Sequence, residues 1–147
     1  MLATNHVLAG ALLGSAISSP YLLIPTALAS HVVMDLVPHW GKFPNEKYYH
    51  RVAKLDGILL LFLLPVIIFF APSEKRFLIF LGAFAALFFD FDKPYEFFFG
   101  KYVNHRPLYG KKFLELNIKY QRENFRNFYI EFFAFITFSA VTIFYII

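Results

Sequence analysis

His31 and Asp35 stand one helical turn apart inside an apolar stretch, and His6, His39, Asp56, Asp90 and Asp92 recur near the ends of other apolar runs. The i,i+4 spacing puts the first two on one helix face with Cβ atoms about 6 Å apart, a separation that suits two ligands of one cation. Pro38 disfavours helix at Val37 and predicts a helix end there, which leaves His39 free to swing in from beyond the last turn. The result is a His-x-x-x-Asp-x-x-Pro-His ligand string. Imidazole and carboxylate suit a divalent metal, zinc first, with manganese or iron in a wider shell, and one group from another helix would still leave a position open for water. A metal lowers the pKa of such a water toward about 7 and so supplies hydroxide at neutral pH.

The elements that must position these groups are set by composition. The 147 residues suit a single domain, yet the chain is 59% hydrophobic, 21% aromatic and only 16% charged, a balance that predicts an integral membrane protein. Ionisable groups are costly in or beside hydrocarbon, so a His–Asp pair within such a segment is a functional-site candidate. The absence of cysteine excludes disulfides and thiolate metal sites. The formal charge of +4 comes from basic residues in loops rather than on a repeating face, which argues against nucleic acid and for lipid headgroups as partners. Met1 to His6 lacks the basic n-region of a signal peptide, so the first segment is expected to be retained.

Four or five passages are expected, giving an all-α bundle of four to five transmembrane helices. Val7 to Ser19, with Thr4 or Asn5 as N-cap, turns at Ser18-Ser19-Pro20 into Tyr21 to Val37, and the two form a short helical hairpin. The first is only about 20 Å long against a hydrocarbon core of ~30 Å, so it is read as re-entrant or buried among the others. Leu55 to Ala71 carries Pro65 near its middle, and Phe77 to Phe91 is stopped by Lys93-Pro94. Residues 93–125 read as an interfacial loop with an amphipathic helix from Lys111, and Phe128 to Ile147 makes the last crossing.

Alternating the direction of these passages brings His6, His31, Asp35, His39, Asp56, Asp90 and Asp92 to one membrane face. That face also carries twelve of the fourteen basic residues, only Lys75 and Arg76 lying opposite, so the positive-inside rule makes it cytoplasmic in a prokaryotic-type plasma membrane. The expected metal ligands are His6, His31, Asp35 and Asp90, with Asp56 or His39 as an additional ligand or proton-transfer group. Lys42, Arg51 and Arg106 are placed to hold an anionic headgroup or phosphoester.

Structural readings compete at each position. His31 and Asp35 also suit an interhelical hydrogen-bonded pair, and Asp56 before Gly57 suits an acidic residue at a helix start. Glu131 reads as a snorkelling interfacial acid in preference to a general base, and His50 and His105 as solvated loop residues. Gly10 and Gly14 predict close packing against the second helix, or equally a homodimer seam. A non-catalytic cation-binding or transport protein is the alternative function; the apolar runs Leu59 to Phe70 and Phe77 to Phe88 disfavour a transmembrane polar path.

Ser30-His31-Val32-Val33-Met34-Asp35-Leu36-Val37-Pro38 resembles the Ser-His-x-x-x-Asp-x-x-x-Pro signature of the YdjM-like inner-membrane metal-dependent hydrolases. Leu87 to Pro94 is similar to that family's Leu-Leu-Pro-Asp-x-Asp-His-Pro element, Asn104-His105-Arg106 to its His-Arg-Gly segment, and Asn5-His6 to its N-terminal His before a small-residue helix. Phe89 stands where the family has Pro, Lys93 where it has His, and the order of the two main elements is reversed. The His31 to His39 string is also similar to the pattern of zinc-dependent phospholipases C. The resemblance implies an α-helical metallohydrolase acting on a phosphoester or lipid.

Overall fold

The computed structural model describes residues 1–41, 43–90 and 123–146. The described residues form five α-helices: α1 (Ala3–Ala16), α2 (Pro20–Leu36), α3 (Glu46–Phe70), α4 (Arg76–Leu87) and α5 (Phe128–Ile146). One 3-10 turn, Phe88–Asp90, prolongs α4, and another, Phe125–Asn127, leads into α5. The expected interfacial helix from Lys111, with Asp92, His105 and Arg106, lies outside the described residues, as does Lys42.

The short first helix is the hub of the bundle. Its apolar residues run all round the helix, the pattern of a helix buried on every side, and it touches α2, α3, α4 and α5. Val7, Leu8 and Ala11 pack with Ile67 and Ala71 of α3 and its end, Ile79 and Ala83 of α4, and Ile146 of α5. Antiparallel to α1, α4 approaches most closely: a Cβ added at Gly10 would run into the Gly82 carbonyl, and one at Gly14 into the backbone at Leu78. The Gly10/Gly14 seam therefore serves α4, not the second helix as the sequence predicted, because Gly82 supplies the complementary notch.

Two helix starts differ from expectation. α1 begins at Ala3 with Leu2 as a capping residue that offers no side-chain acceptor, so neither Thr4 nor Asn5 is the N-cap. α3 begins at Glu46, well ahead of Leu55, because Asn45 caps it by accepting the Tyr48 N–H at 2.8 Å and the charged stretch that follows consists largely of good helix formers. Asp56 consequently sits inside α3 rather than at its start. The remaining boundaries follow local chemistry: Pro20 opens α2 at its first turn, and Val37 turns extended before Pro38.

At the opposite end from the ionisable residues, Arg76 donates to the carbonyls of Ala71 and Phe69 at 3.0 and 2.9 Å, and Lys75 to Ser15 O at 3.0 Å. Both cations thus sit where helices α1 and α3 leave unpaired carbonyls. Small residues fill the interior while large ones face outward, Tyr21 at 89% and Phe144 at 85% exposure. Two helices, Lys47–Phe70 and Phe125–Ile146, are long and apolar enough to cross a membrane.

Candidate metal centre

Three elements bring ionisable side chains together at the N-terminal end of α1. Asp35 and His31 come from the last turns of α2, His6 from the first turns of α1, Asp90 from the 3-10 turn after α4, and all four are nearly inaccessible to solvent. His6 Nε2 lies 3.2 Å from Asp35 Oδ1, His31 Nε2 lies 3.4 Å from Asp35 Oδ2 and 3.9 Å from Asp90 Oδ1. The two imidazoles stack, ring centres 3.8 Å apart and planes inclined by 16°. One ligand atom from each of His6, His31 and Asp90 lies within 4.8 Å of the other two. The four residues expected as metal ligands are therefore brought together, and from the helices the sequence assigned them.

The tautomer of His31 can be read from its partners. Its Nδ1 lies 2.6 Å from the Ala86 carbonyl, which only accepts, so Nδ1 carries hydrogen and Nε2 is the atom turned toward the carboxylates. A bare lone pair facing Asp35 and Asp90 would be repelled by both. A positive centre between them, such as a metal ion, would relieve that repulsion. Holding Nδ1 on a backbone carbonyl is also how metal-bound imidazoles are fixed in tautomer and orientation. His6 adds to the demand: it is fully buried, its Nδ1 makes no hydrogen bond among the described residues, and its Nε2 meets Asp35 Oδ1 at 3.2 Å. A buried ring nitrogen without a partner is costly, and ligation of either nitrogen would lower that cost.

Asp35 is also reached by the Met1 ammonium at 2.7 Å. This contact balances one carboxylate of the group. For four-coordinate zinc at 2.0–2.1 Å the ligand atoms would stand roughly 3.3 Å apart, so the 4.8 Å set needs side-chain adjustments of the order of 1 Å.

The remaining expected residues are placed otherwise. Asp56 accepts the Ala3 N–H at 2.8 Å, the Thr4 N–H at 3.2 Å and the Thr4 hydroxyl. Glu131 accepts the Leu2 N–H at 2.6 Å, the Asn5 side-chain amide at 2.8 Å and the Trp40 N–H at 3.4 Å. Together the two carboxylates satisfy the first N–H groups of α1, which has no cap of its own, and complement the positive end of its dipole. Glu131 is 1% exposed and so does not snorkel; the N-terminus of α1, not the interface, holds it. His39 is buried but turned elsewhere, Nδ1 donating to Val37 O at 2.8 Å and Nε2 facing Glu123 Oε1 at 3.7 Å. Its carbonyl accepts from Asn124 N at 2.9 Å, tying the α2–α3 connection to the entry of α5. Thr4 and Asn5, read from the sequence as cap candidates, thus donate to these carboxylates from inside the helix, and the partner of Asn5 lies 126 residues away.

A cavity of about 920 Å³ adjoins this centre, walled by Met1 to Ala3, Trp40 and the first half of α3, with Asp56 and Asp90 on its lining. Asp90 therefore belongs both to the imidazole group and to an accessible space. No family model, curated protein or solved structure matches the chain.

Proposed function

We propose that this chain is an integral membrane, metal-dependent hydrolase of phosphoester or lipid substrates, working from a His/Asp centre at the cytoplasmic membrane face. The observation that carries the reading is His31, whose Nε2 faces two carboxylates while Nδ1 is committed to a backbone carbonyl. His6, His31 and Asp90 would hold the ion, with Asp35 against both imidazoles as a fourth ligand or their orienting carboxylate. The ion would supply hydroxide at neutral pH. The chain's own contribution is to keep the nitrogen ligands dry and to present Asp90 on the cavity side, where a substrate can approach.

Membrane insertion is supported by the inside-out distribution of size: small residues at helix contacts and Tyr21, Leu61, Phe133 and Phe144 outward, as expected where lipid replaces water. Trp40 packs against Phe43 and Phe128, both with ring centres 4.9 Å away, at the level where aromatic belts form. The resemblance of the Ser30–Pro38 string to the YdjM-like signature is in keeping with this reading. Clustering of the buried ionisable groups at one end supports hydrolysis over transport, since the described parts of α3 and α4 beyond that end are apolar.

Metal analysis of purified protein tests the proposal. Wild type should carry a divalent metal that His31→Ala and Asp90→Ala lose, with phosphodiester or lipid turnover lost in parallel. Equal metal content in all three would leave a proton as the positive centre and end the reading; bound metal without turnover on a phosphoester and lipid panel would favour the cation-binding alternative.

A further inference from the structure

We infer that the cavity beside Asp90 is an acyl-chain groove, and that the ligand of this centre is a bilayer phospholipid entering sideways along the outward face of α3. The identity of the headgroup chemistry rests on the hydrolase reading; the groove does not. Tyr49, Ala53, Gly57 and Leu61 form an i,i+4 row along α3, and all four line the cavity, as does Leu87 from α4. The row spans about 18 Å of helix axis. Its two middle members are the smallest side chains available, and a Cβ added at Gly57 would meet nothing within 4 Å. Glycine there is not required by a helix contact, in contrast to Gly10, Gly14 and Gly82, and the space it leaves belongs to the cavity.

The groove is polar at one end and apolar at the other. Asp56 and Asp90 stand where α3 enters the bundle, whereas Ile58 and Leu61, 51% and 70% exposed, carry the lining out onto the outward face of α3. A soluble phosphoester would gain nothing from that apolar extension, and a purely apolar ligand would have no use for the polar end. An amphiphile matches both, its chain along Gly57 to Leu61 and its phosphate beside Asp90, where the proposed ion would offset the like charge. The volume of about 920 Å³ falls within the range of ligand sites, which are mostly apolar with a few placed polar groups.

The test is photolabelling in nanodiscs doped with a phosphatidylglycerol that bears a diazirine on one acyl chain. In wild type, adducts should concentrate on Tyr49 to Leu61. Gly57→Phe fills the groove into open space and should lower those adducts about tenfold, the change expected for a competed site, while adducts at outward-facing Phe144 stay constant. Ala53→Leu provides a second filling variant if the first folds poorly. Adducts spread evenly over outward faces, or undiminished at α3 in both filled variants, would overturn the groove. Zinc content of the same samples separates the two ideas: groove adducts that persist in a protein without metal leave the groove standing and remove the hydrolase.

Discussion

Asp56→Ala distinguishes a capping carboxylate from a catalytic one. In the native chain this carboxylate accepts two backbone N–H groups and a hydroxyl at the start of α1, inside the bundle. Alanine removes the acceptors without offering others to Ala3 N and Thr4 N. An unpaired buried donor costs about 1–3 kcal/mol, and loss of a favourable charge at a helix N-terminus a further ~0.3–1 kcal/mol. The hydroxyl of Thr4 can rotate toward another oxygen and is left out. Two donors at the middle of the range together with the lost charge give about 4–5 kcal/mol, reduced toward ~2 kcal/mol if the terminal turn frays and admits water. Asp56→Asn keeps one acceptor and should lose roughly half as much. The assay is reversible unfolding in mixed micelles, followed by helical circular dichroism, with turnover measured on the folded fraction. If Asp56→Ala unfolds like wild type yet is inactive, the capping account is wrong and Asp56 acts directly on substrate.

Other perturbations address the remaining contacts. Gly10→Val should separate α1 from α4, costing about 1–3 kcal/mol or more and lowering metal content, because Ala86 and Asp90 ride on the displaced element; thermal unfolding and metal analysis read both. Glu131→Gln retains an acceptor for Leu2 or Asn5 and should be milder than Glu131→Ala, with matched unfolding curves for the two substitutions contradicting the capping role. Saturating divalent metal at ~100 times its dissociation constant should stabilise the wild type by about 2.7 kcal/mol and His6→Ala far less; identical shifts would place the ion elsewhere. The chain lacks cysteine, so single cysteines at Lys47 and Lys75 should react with an impermeant maleimide from opposite sides of a sealed vesicle. Labelling of both from one side would refute the crossing of α3.

The segment order and the convergence of His6, His31, Asp35 and Asp90 were legible in the sequence because they depend on local signals: apolar run length, the Pro20 and Pro38 boundaries, and alternation of direction. The extension of α3 to Glu46 was not, since a charged stretch carries no apolar run and its helical character rests on propensity and the Asn45 cap. Packing of α1 on α4 was equally hidden, as the Gly10/Gly14 pair states only that some backbone comes close. Asp56 and Glu131 show the deeper difficulty: each looks like a boundary or interfacial acid on its own helix, while its hydrogen bonds belong to another helix. His39 was within reach of the centre by sequence position, yet its hydrogen bond to Val37 and its approach to Glu123 turn it toward the α5 entry.

The dependence of α1 on distant carboxylates bears on biogenesis. Leu2 and Glu131 are 129 residues apart, so the earliest of these helices to leave the ribosome lacks one of its terminating acceptors until the last has been synthesised. Nascent chains stalled before α5 should hold α1 in a loose, chaperone-accessible state, and the stacked pair His6 and His31 should lock only when translation of the bundle is complete.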